Sequence, residues 1–211
     1  MSDLPEGVQW RQFGGRQRLA TRGDPVYGEP VDAEGWRVWD TNRSKVGALL
    51  ETHGDPGFEP DSGLLYLGAA TGTTVSHLAD MGLLVYAVEL SAYAADALLE
   101  VSRSRPRLFP IIADARHPAR YAGTVEADLS WLIQDVASAE QAQIATANRR
   151  FLADDGMSMI FIKARSIDAT ASPSTVFADV EAELTDTYEI TARVSMDTTH
   201  EDHRAIIAKV R

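Results

Sequence analysis

Three acidic residues, Glu89, Asp114 and Asp135, each end an apolar run, and a loop of small residues, 68-GAATGTT-74, ends another. A loop of this kind has three common ligands. A phosphate-cradling P-loop needs a lysine and then Ser or Thr after its second glycine. Here Gly72 is followed by Thr73-Thr74-Val75, so that chemistry is excluded. A dinucleotide fingerprint needs two glycines one residue apart and then a third. Gly68 and Gly72 are four apart, with no third. The carboxylates point elsewhere. Glu89 stands 21 residues after Gly68, where a carboxylate can accept from both ribose hydroxyls of a nucleoside. Asp114 can accept from an adenine amino group. An adenosine carrying a cationic group, with no phosphate binder in sight, is S-adenosylmethionine. The backbone of Ala69–Thr74 would pass its methionine end, an approach that small residues permit. One such acid alone reads more readily as a helix cap or turn carboxylate. Three at successive strand ends behind a glycine loop do not.

Apolar runs and punctuation show what must position these residues. VQWRQF (8–13) and RQRLAT (16–21) flank Gly14-Gly15, a hairpin signal, and WRVWD (36–40) reads as another short strand. From residue 43 helices and strands alternate, the signature of a parallel sheet covered on both faces. A helix over 43–53, capped by Thr41 or Asn42, turns Val46, Leu49 and Leu50 inward. Strands are expected at 64–68, 83–90, 109–114, 129–135 and 157–163. Helices are expected near 73–81, after Ser91, over 139–152 up to an Asp154-Asp155-Gly156 turn, and from Ser172-Pro173, with proline at the first helical position. YEITARVSM (188–196) and HRAIIAKV (203–210) are too close in sequence for a helical crossover, so they must pair antiparallel.

The whole chain bounds its class. Its 211 residues, 45% of them hydrophobic, suit one globular unit with a sizeable core. No apolar run is long enough to span a bilayer and no secretory leader is visible, so a cytoplasmic protein without membrane partners is expected. Cysteine is absent, which removes disulfides and thiolate metal sites. Acidic residues number 31 against 20 basic ones, a net charge of −11, and the only lysines are Lys45, Lys163 and Lys209. This acid excess with scarce lysine resembles proteins of salt-loving organisms. In about 1 M salt the Debye length falls to about 3 Å, so the net charge does not exclude a nucleic-acid substrate.

On these residues the chain resembles archaeal fibrillarin-like methyltransferases. The matching segments are 39-WDTNRSKVGALL-50, 65-LYLGAATGTTVSHLAD-80, 85-VYAVEL-90, 111-IIADARHPARY-121, 133-IQDVAS-138, 160-IFIKARSIDATAS-172 and 202-DHRAIIAKV-210. YLGAATGTTVSH and ADARHP are specific to that family; the bare glycine loop is not. The resemblance implies an α/β, Rossmann-like S-adenosylmethionine-dependent methyltransferase fold. Its seven-stranded sheet is mostly parallel with the last strand antiparallel. Residues 41–211 would form this domain and residues 1–40 a small N-terminal β extension. The implied activity is 2′-O-methylation of ribose in ribosomal RNA, with transfer RNA a second target. The implied partners are a Nop-domain scaffold protein, a kink-turn-binding ribosomal-type protein and a box C/D guide RNA.

The resemblance also carries over site residues. Gly68, Ala69, Thr73, Thr74, Glu89, Leu90, Asp114, Ala115, Asp135, Val136, Ala137 and Ser138 fall on the donor-binding segments. Related ribose methyltransferases use a Lys-Asp-Lys group plus a fourth acidic or histidine residue. By position these are Lys45, Asp135 and Lys163, with His203 the fourth and Glu201 and Asp202 its neighbours. Either Lys163 acts as a base, its pKa lowered by Lys45 and burial, or Asp135 orients the hydroxyl while the lysines stabilise developing charge. Lys209 reads as an ordinary salt-bridge residue. His200 and His203 form an HxxH that, without further ligands, does not make a metal site. His77 and His117 read as packing or capping groups, and Trp10, Trp36 and Trp39 as packing residues. Arg43, Arg116, Arg120 and Arg165 lie where RNA phosphates could pass, but no basic run or RNA-binding motif is present. The isolated chain is therefore expected to bind RNA weakly and to take its specificity from the guide.

Overall fold

The computed structural model describes residues 3–196 and 199–211. Its first element is a hairpin of β1 (Val8–Phe13) and β2 (Arg16–Arg22), and β3 (Trp36–Val38) completes a small antiparallel sheet in the order β1-β2-β3. Gly14 and Gly15 both have positive φ, 57° and 79°, as a two-residue hairpin turn requires.

The elements that follow are α1 (Lys45–His53), β4 (Gly63–Leu67), α2 (Thr73–Asp80), β5 (Leu84–Glu89), α3 (Ala92–Ser102), β6 (Leu108–Ile112) and β7 (Leu129–Gln134). Then come α4 (Gln141–Asn148), β8 (Leu152–Lys163), the short α5 (Ala164–Ile167), α6 (Pro173–Leu184), β9 (Tyr188–Ser195) and β10 (His203–Val210). The large sheet has seven strands in the order β6-β5-β4-β7-β8-β10-β9. Strands β4 to β8 pair parallel, and β10 enters antiparallel between β8 and β9. No described helix is long and apolar enough to cross a membrane.

Strand alternation divides the core into two layers. Leu64, Tyr66, Val85, Ala87, Trp131, Ile133, Met159 and Phe161 face one side, beneath α1, α2 and α3. Leu65, Leu67, Tyr86, Val88, Leu132, Ile160 and Ile162 face the other, beneath α4 and α6. Successive side chains of a strand point to opposite faces, so one set of apolar runs supplies both layers. Val8 and Leu19 of the small sheet join the first layer.

Several local expectations need correction. The cap of α1 is Ser44, not Thr41 or Asn42; its hydroxyl accepts from the Gly47 amide at 3.1 Å, and Asp40 instead accepts from the Asn42 amide in a turn. α4 ends at Asn148, and a 3₁₀ turn, Arg149–Phe151, follows. There the Asn148 side chain leaves helical duty to bond the Ala115 carbonyl and accept from Tyr121. The expected turn at 154–156 lies inside β8. Leu129 faces Leu152 and Trp131 faces Met157, so the extra residues bulge out of the ladder. Among the described residues Lys209 makes no ion pair; it is an exposed strand residue opposite Met157 and Glu189.

A buried charge network joins the small sheet to α2. The Arg37 guanidinium is fully buried and bonds Glu29, Asp80 and Ser76 at 2.5–2.8 Å, and Arg105 reaches the other Asp80 oxygen at 3.0 Å. His77 bonds the Thr21 hydroxyl at 2.7 Å and stacks on Trp39 at 4.6 Å. Both residues therefore pack, as expected. Burial, reinforced by the charges of Arg37 and Arg105, holds the His77 imidazole far below its usual pKa, so it stays neutral.

Candidate active site

The carboxyl ends of β4, β5, β6 and β7 open into a cleft of about 440 Å³. Its floor depends on Gly68, whose φ is +86°. A Cβ there would come within 2.3 Å of the Asp135 carbonyl oxygen, so no other residue lets β4 and β7 end side by side. Ala70 holds a positive φ of 48° without being glycine. Its amide donates to Glu89 Oε2 at 2.7 Å, and the Ser91 amide donates to Oε1 at 2.7 Å. Glu89 is thus oriented by the loop it faces, and each oxygen keeps a lone pair for a ligand hydroxyl.

Asp114 is held by Arg116, which donates to both carboxylate oxygens at 2.7–3.0 Å, and the Arg116 amide adds a bond at 2.9 Å. These hydrogen bonds lower the carboxyl to about 2. His117 stands 3.4 Å from the same carboxylate. Asp135 follows β7 and donates its amide to the Leu67 carbonyl at 2.9 Å.

Of the residues expected at a donor site, Gly68, Glu89, Leu90, Asp114, Ala115, Asp135, Val136, Ala137 and Ser138 line this cleft. Ala69, Thr73 and Thr74 do not. Ala69 is buried, and the Thr74 hydroxyl points to Ser44 Oγ at 3.0 Å. The lining also includes Ala70, which falls in the expected Ala69–Thr74 loop, Arg116, which was expected on an RNA path instead, and Val88, Ala113 and Ile144, which sequence reasoning passed over. Val88 and Ala113 flank the acids and were within reach. Ile144 arrives from α4 and carried no local signal.

The chain brings the Lys-Asp-Lys-His set to one end of this cleft. Lys45 is the first residue of α1, and its Nζ donates to both Asp135 oxygens at 2.7 and 3.0 Å. The pair is half-buried, with side-chain exposures of 18% and 25%. Lys163 ends β8 directly opposite His203 in β10. The Lys163 amide donates to Gln141 Oε1 at 3.2 Å, while Gln141 Nε2 donates to the Val136 carbonyl at 2.8 Å. One buried glutamine thereby joins the ends of two strands.

His203 settles which residue of 201–203 faces this group. Asp202 is turned onto Arg165 at 2.8 Å, and the Glu201 side chain is exposed. His203 Nδ1 donates to the Glu201 carbonyl at 2.7 Å, which leaves Nε2 as an acceptor. Burial lowers the His203 pKa; the Lys45 and Lys163 charges push the same way, the Glu201 hydrogen bond and Asp135 against it. His200 was not expected to take part. Its Nε2 donates to the Thr41 carbonyl at 3.2 Å, and burial and Lys45 lower its pKa too. No group of three or more metal-ligating side chains occurs among the described residues.

Three of the four arginines expected along an RNA path are engaged. Arg43 lies over the Tyr27 ring at 4.7 Å, Arg116 is on Asp114, and Arg165 is on Asp202. Asp135 is the residue shared by the cleft and the cationic group. A carboxylate-rich nucleoside cleft, closed at one end by lysines beside an acceptor imidazole, suits transfer of a group from an adenosyl ligand to an alcohol.

Comparison with known proteins agrees. The family model described as Fibrillarin matches residues 6–211. A "Fibrillarin-like rRNA/tRNA 2'-O-methyltransferase" of Halorubrum lacusprofundi is 50% identical over 206 residues, 98% of this chain and 97% of that protein. The protein of the same description from Halobacterium salinarum is 51% identical and covers 99% of both chains. Among solved structures, the chain matches one of a fibrillarin/Nop5p complex with a TM-score of 0.91, 36% identity and full coverage of both chains. It matches Aeropyrum pernix fibrillarin with natively bound S-adenosyl-L-methionine with a TM-score of 0.86 and 38% identity, over 97% of this chain and 95% of that one.

Proposed function

The chain belongs to the fibrillarin family, and from that premise we propose that it transfers a methyl group from S-adenosylmethionine to ribose 2′-hydroxyls of ribosomal and transfer RNA. It works in a box C/D ribonucleoprotein in the cytoplasm, on a Nop-domain scaffold with a kink-turn-binding protein, and the guide RNA chooses the nucleotide. The similarity to the fibrillarin/Nop5p complex supports the scaffold. The observation that carries the chemistry is Asp135, which lines the nucleoside cleft and also holds Lys45.

The residues present fit the donor. Glu89 offers two oriented oxygens to a ribose diol, and Asp114, whose two oxygens are held by Arg116, would accept from an adenine amine where that arginine yields one of them. The cation of the lining, Arg116, is already neutralised on Asp114, so nothing there calls for a phosphate. Gly68 and Ala70, the loop residues that line the cleft, would lie beside the methionine portion. When bound, the donor supplies a sulfonium methyl, whose carbon–sulfur bond breaks as the carbon–oxygen bond to the ribose forms, leaving a neutral thioether.

Much of the acceleration in such a displacement comes from placement. Asp135, fixed by its backbone bond and by Lys45, accepts from and orients the attacking hydroxyl. Lys45 and Lys163 stabilise charge developing on that oxygen. The proton then has a free acceptor in His203 Nε2, which the lowered pKa keeps unprotonated near neutrality.

Reconstitution with scaffold, kink-turn protein, guide RNA and labelled donor tests the activity. Methyl transfer should require all of them. Equal transfer by the isolated chain would overturn the guided reading. Single-turnover rates should rise with pH to a plateau, with a midpoint below the ordinary histidine value of about 6.5, and His203→Gln should flatten that limb. A profile unchanged in His203→Gln but displaced in Lys163→Arg would assign the base to the lysine instead, because arginine stays protonated.

A further inference from the structure

Thr74 sits in the donor loop by sequence, yet its side chain points away from the cleft. It is the second residue of α2 and 8% exposed. Its hydroxyl donates to Ser44 Oγ at 3.0 Å. Ser44 is 1% exposed and caps α1, and its second lone pair takes the Gly47 amide at 3.1 Å. A serine hydroxyl has two acceptor sites, and both are filled. The next residue in the chain is Lys45.

The contacts form a circuit around Asp135. Asp135 binds Lys45 Nζ. Lys45 follows Ser44, Ser44 is held by Thr74, and the buried Tyr66 phenol is within hydrogen-bonding reach of Thr74 and feels the Asp135 charge. Its pKa is raised first by burial and then by the Asp135 charge, while Thr74 acts the other way. Strand β4, helix α2, the start of α1 and the end of β7 thus meet through side chains, not only through the sheet.

A lysine needs such a frame. Its ammonium is a hydrated point charge on a flexible stem, and an exposed ion pair seldom holds one geometry by itself. The origin of the stem must therefore be fixed. Farther along α1, Gly47 packs on the Trp39 indole so closely that a Cβ would come within 2.9 Å of Nε1. That contact sets the distance of the helix from the core. Gly47 belongs to the same first turn as Lys45, so the Trp39 contact and the Ser44–Thr74 bond hold that turn together.

We propose that Thr74 is a positioning residue: through Ser44 it locks the first turn of α1 and so fixes the Lys45 ammonium on Asp135, making the donor loop and the lysine one rigid unit. This inference rests on the proposed function for its kinetic consequence but not for its structural one. Displacements of about 1 Å at a reacting centre can cost about 100-fold in rate.

Because the chain has only three lysines, selective isotope labelling gives a spectrum of three lysine signals. Lys163→Arg and Lys209→Arg assign Lys45 by elimination. In the full-length protein, Thr74→Val should move or broaden the Lys45 signal and leave Lys209 unchanged. Thr74→Ser, which restores the hydroxyl, should return it. Ser44→Gly keeps a residue tolerated at helix caps while removing the partner of Thr74; it should reproduce the effect, and it stands in if Thr74→Val does not fold. In the assembled particle, Thr74→Val should lower the single-turnover rate at saturating donor about tenfold, with donor affinity within about twofold, as for loss of one neutral hydrogen bond. An unmoved Lys45 signal in both variants overturns the proposal whatever the rates. Weakened donor binding with an unmoved signal would instead make Thr74 a donor ligand. Should the wild-type particle transfer no methyl group, the proposed function fails, and the lysine spectrum still decides the positioning role.

Discussion

The clusters of opposite charges around Arg37 and around Asp135 differ in access to water. Around Arg37, a fully buried guanidinium meets Glu29 and Asp80, with Arg105 closing the set. Around Asp135, Lys45 makes one close pair at the mouth of a cleft, with Lys163 and His203 beside it. In the first cluster nearly every charge is neutralised by a fixed partner, and burial is strong enough to raise the Asp80 carboxyl despite its two arginines. In the second, water and ligand can reach the charges. Dry ion pairs fasten elements together because breaking one strands a buried charge. Half-exposed pairs add little stability and remain free to act on a substrate. The same residue types therefore serve as a rivet in one place and a site in the other.

The sharpest way to break this contrast is Asp135→Asn. It should reduce guide-dependent methyl transfer by about 1,000-fold, while shifting the unfolding free energy by no more than about 1 kcal/mol. A loss of stability in proportion to activity would make the pair a rivet after all. Arg37→Met should show the converse. Glu29 and Asp80 lose their partner inside the protein, and denaturant unfolding should record a loss of about 3–5 kcal/mol. Donor affinity of the folded fraction should stay near wild type.

A third test uses acid. His77 stays neutral in the fold and takes up a proton when unfolded near its ordinary value. The unfolded state binds more protons as pH falls below about 6.5, so stability is fully present above that value and declines below it. The limiting slope for one such histidine is about 1.4 kcal/mol per pH unit. His77→Gln should remove its share, leaving the smaller contributions of His200 and His203, which shift the same way. An unchanged slope in His77→Gln would mean that the junction admits the proton. The smallest effect is expected at Glu89→Gln, where an amide keeps one acceptor oxygen but cannot take both backbone amides. Donor affinity measured by calorimetry should fall about tenfold. A loss confined to the transfer rate would place Glu89 outside the donor site.

The sequence by itself determined the strand runs, their order and the acids that end them. Period-two apolar patterning and glycine punctuation are local, and Glu89 and Asp135 stand at strand ends in the structure as the pattern implies. It also required the antiparallel return of β10 beside β9, since the linker is too short for a crossover. Matching segments named the Lys-Asp-Lys set. What tertiary structure alone decided is who touches whom. Lys45 and Asp135 are 90 residues apart, and no local pattern states that they meet at 2.7 Å. The cap Ser44 also takes a bond from Thr74, which arrives from another helix and which no local pattern announces. Nor does any local pattern state that Asp202 is held by Arg165 while His203 stands among the Lys45, Asp135 and Lys163 charges. The Arg37 network was invisible, because an arginine in a polar stretch carries no sign that it will be buried. Periodicity encodes which face turns inward; partners and burial arise only when distant segments pack.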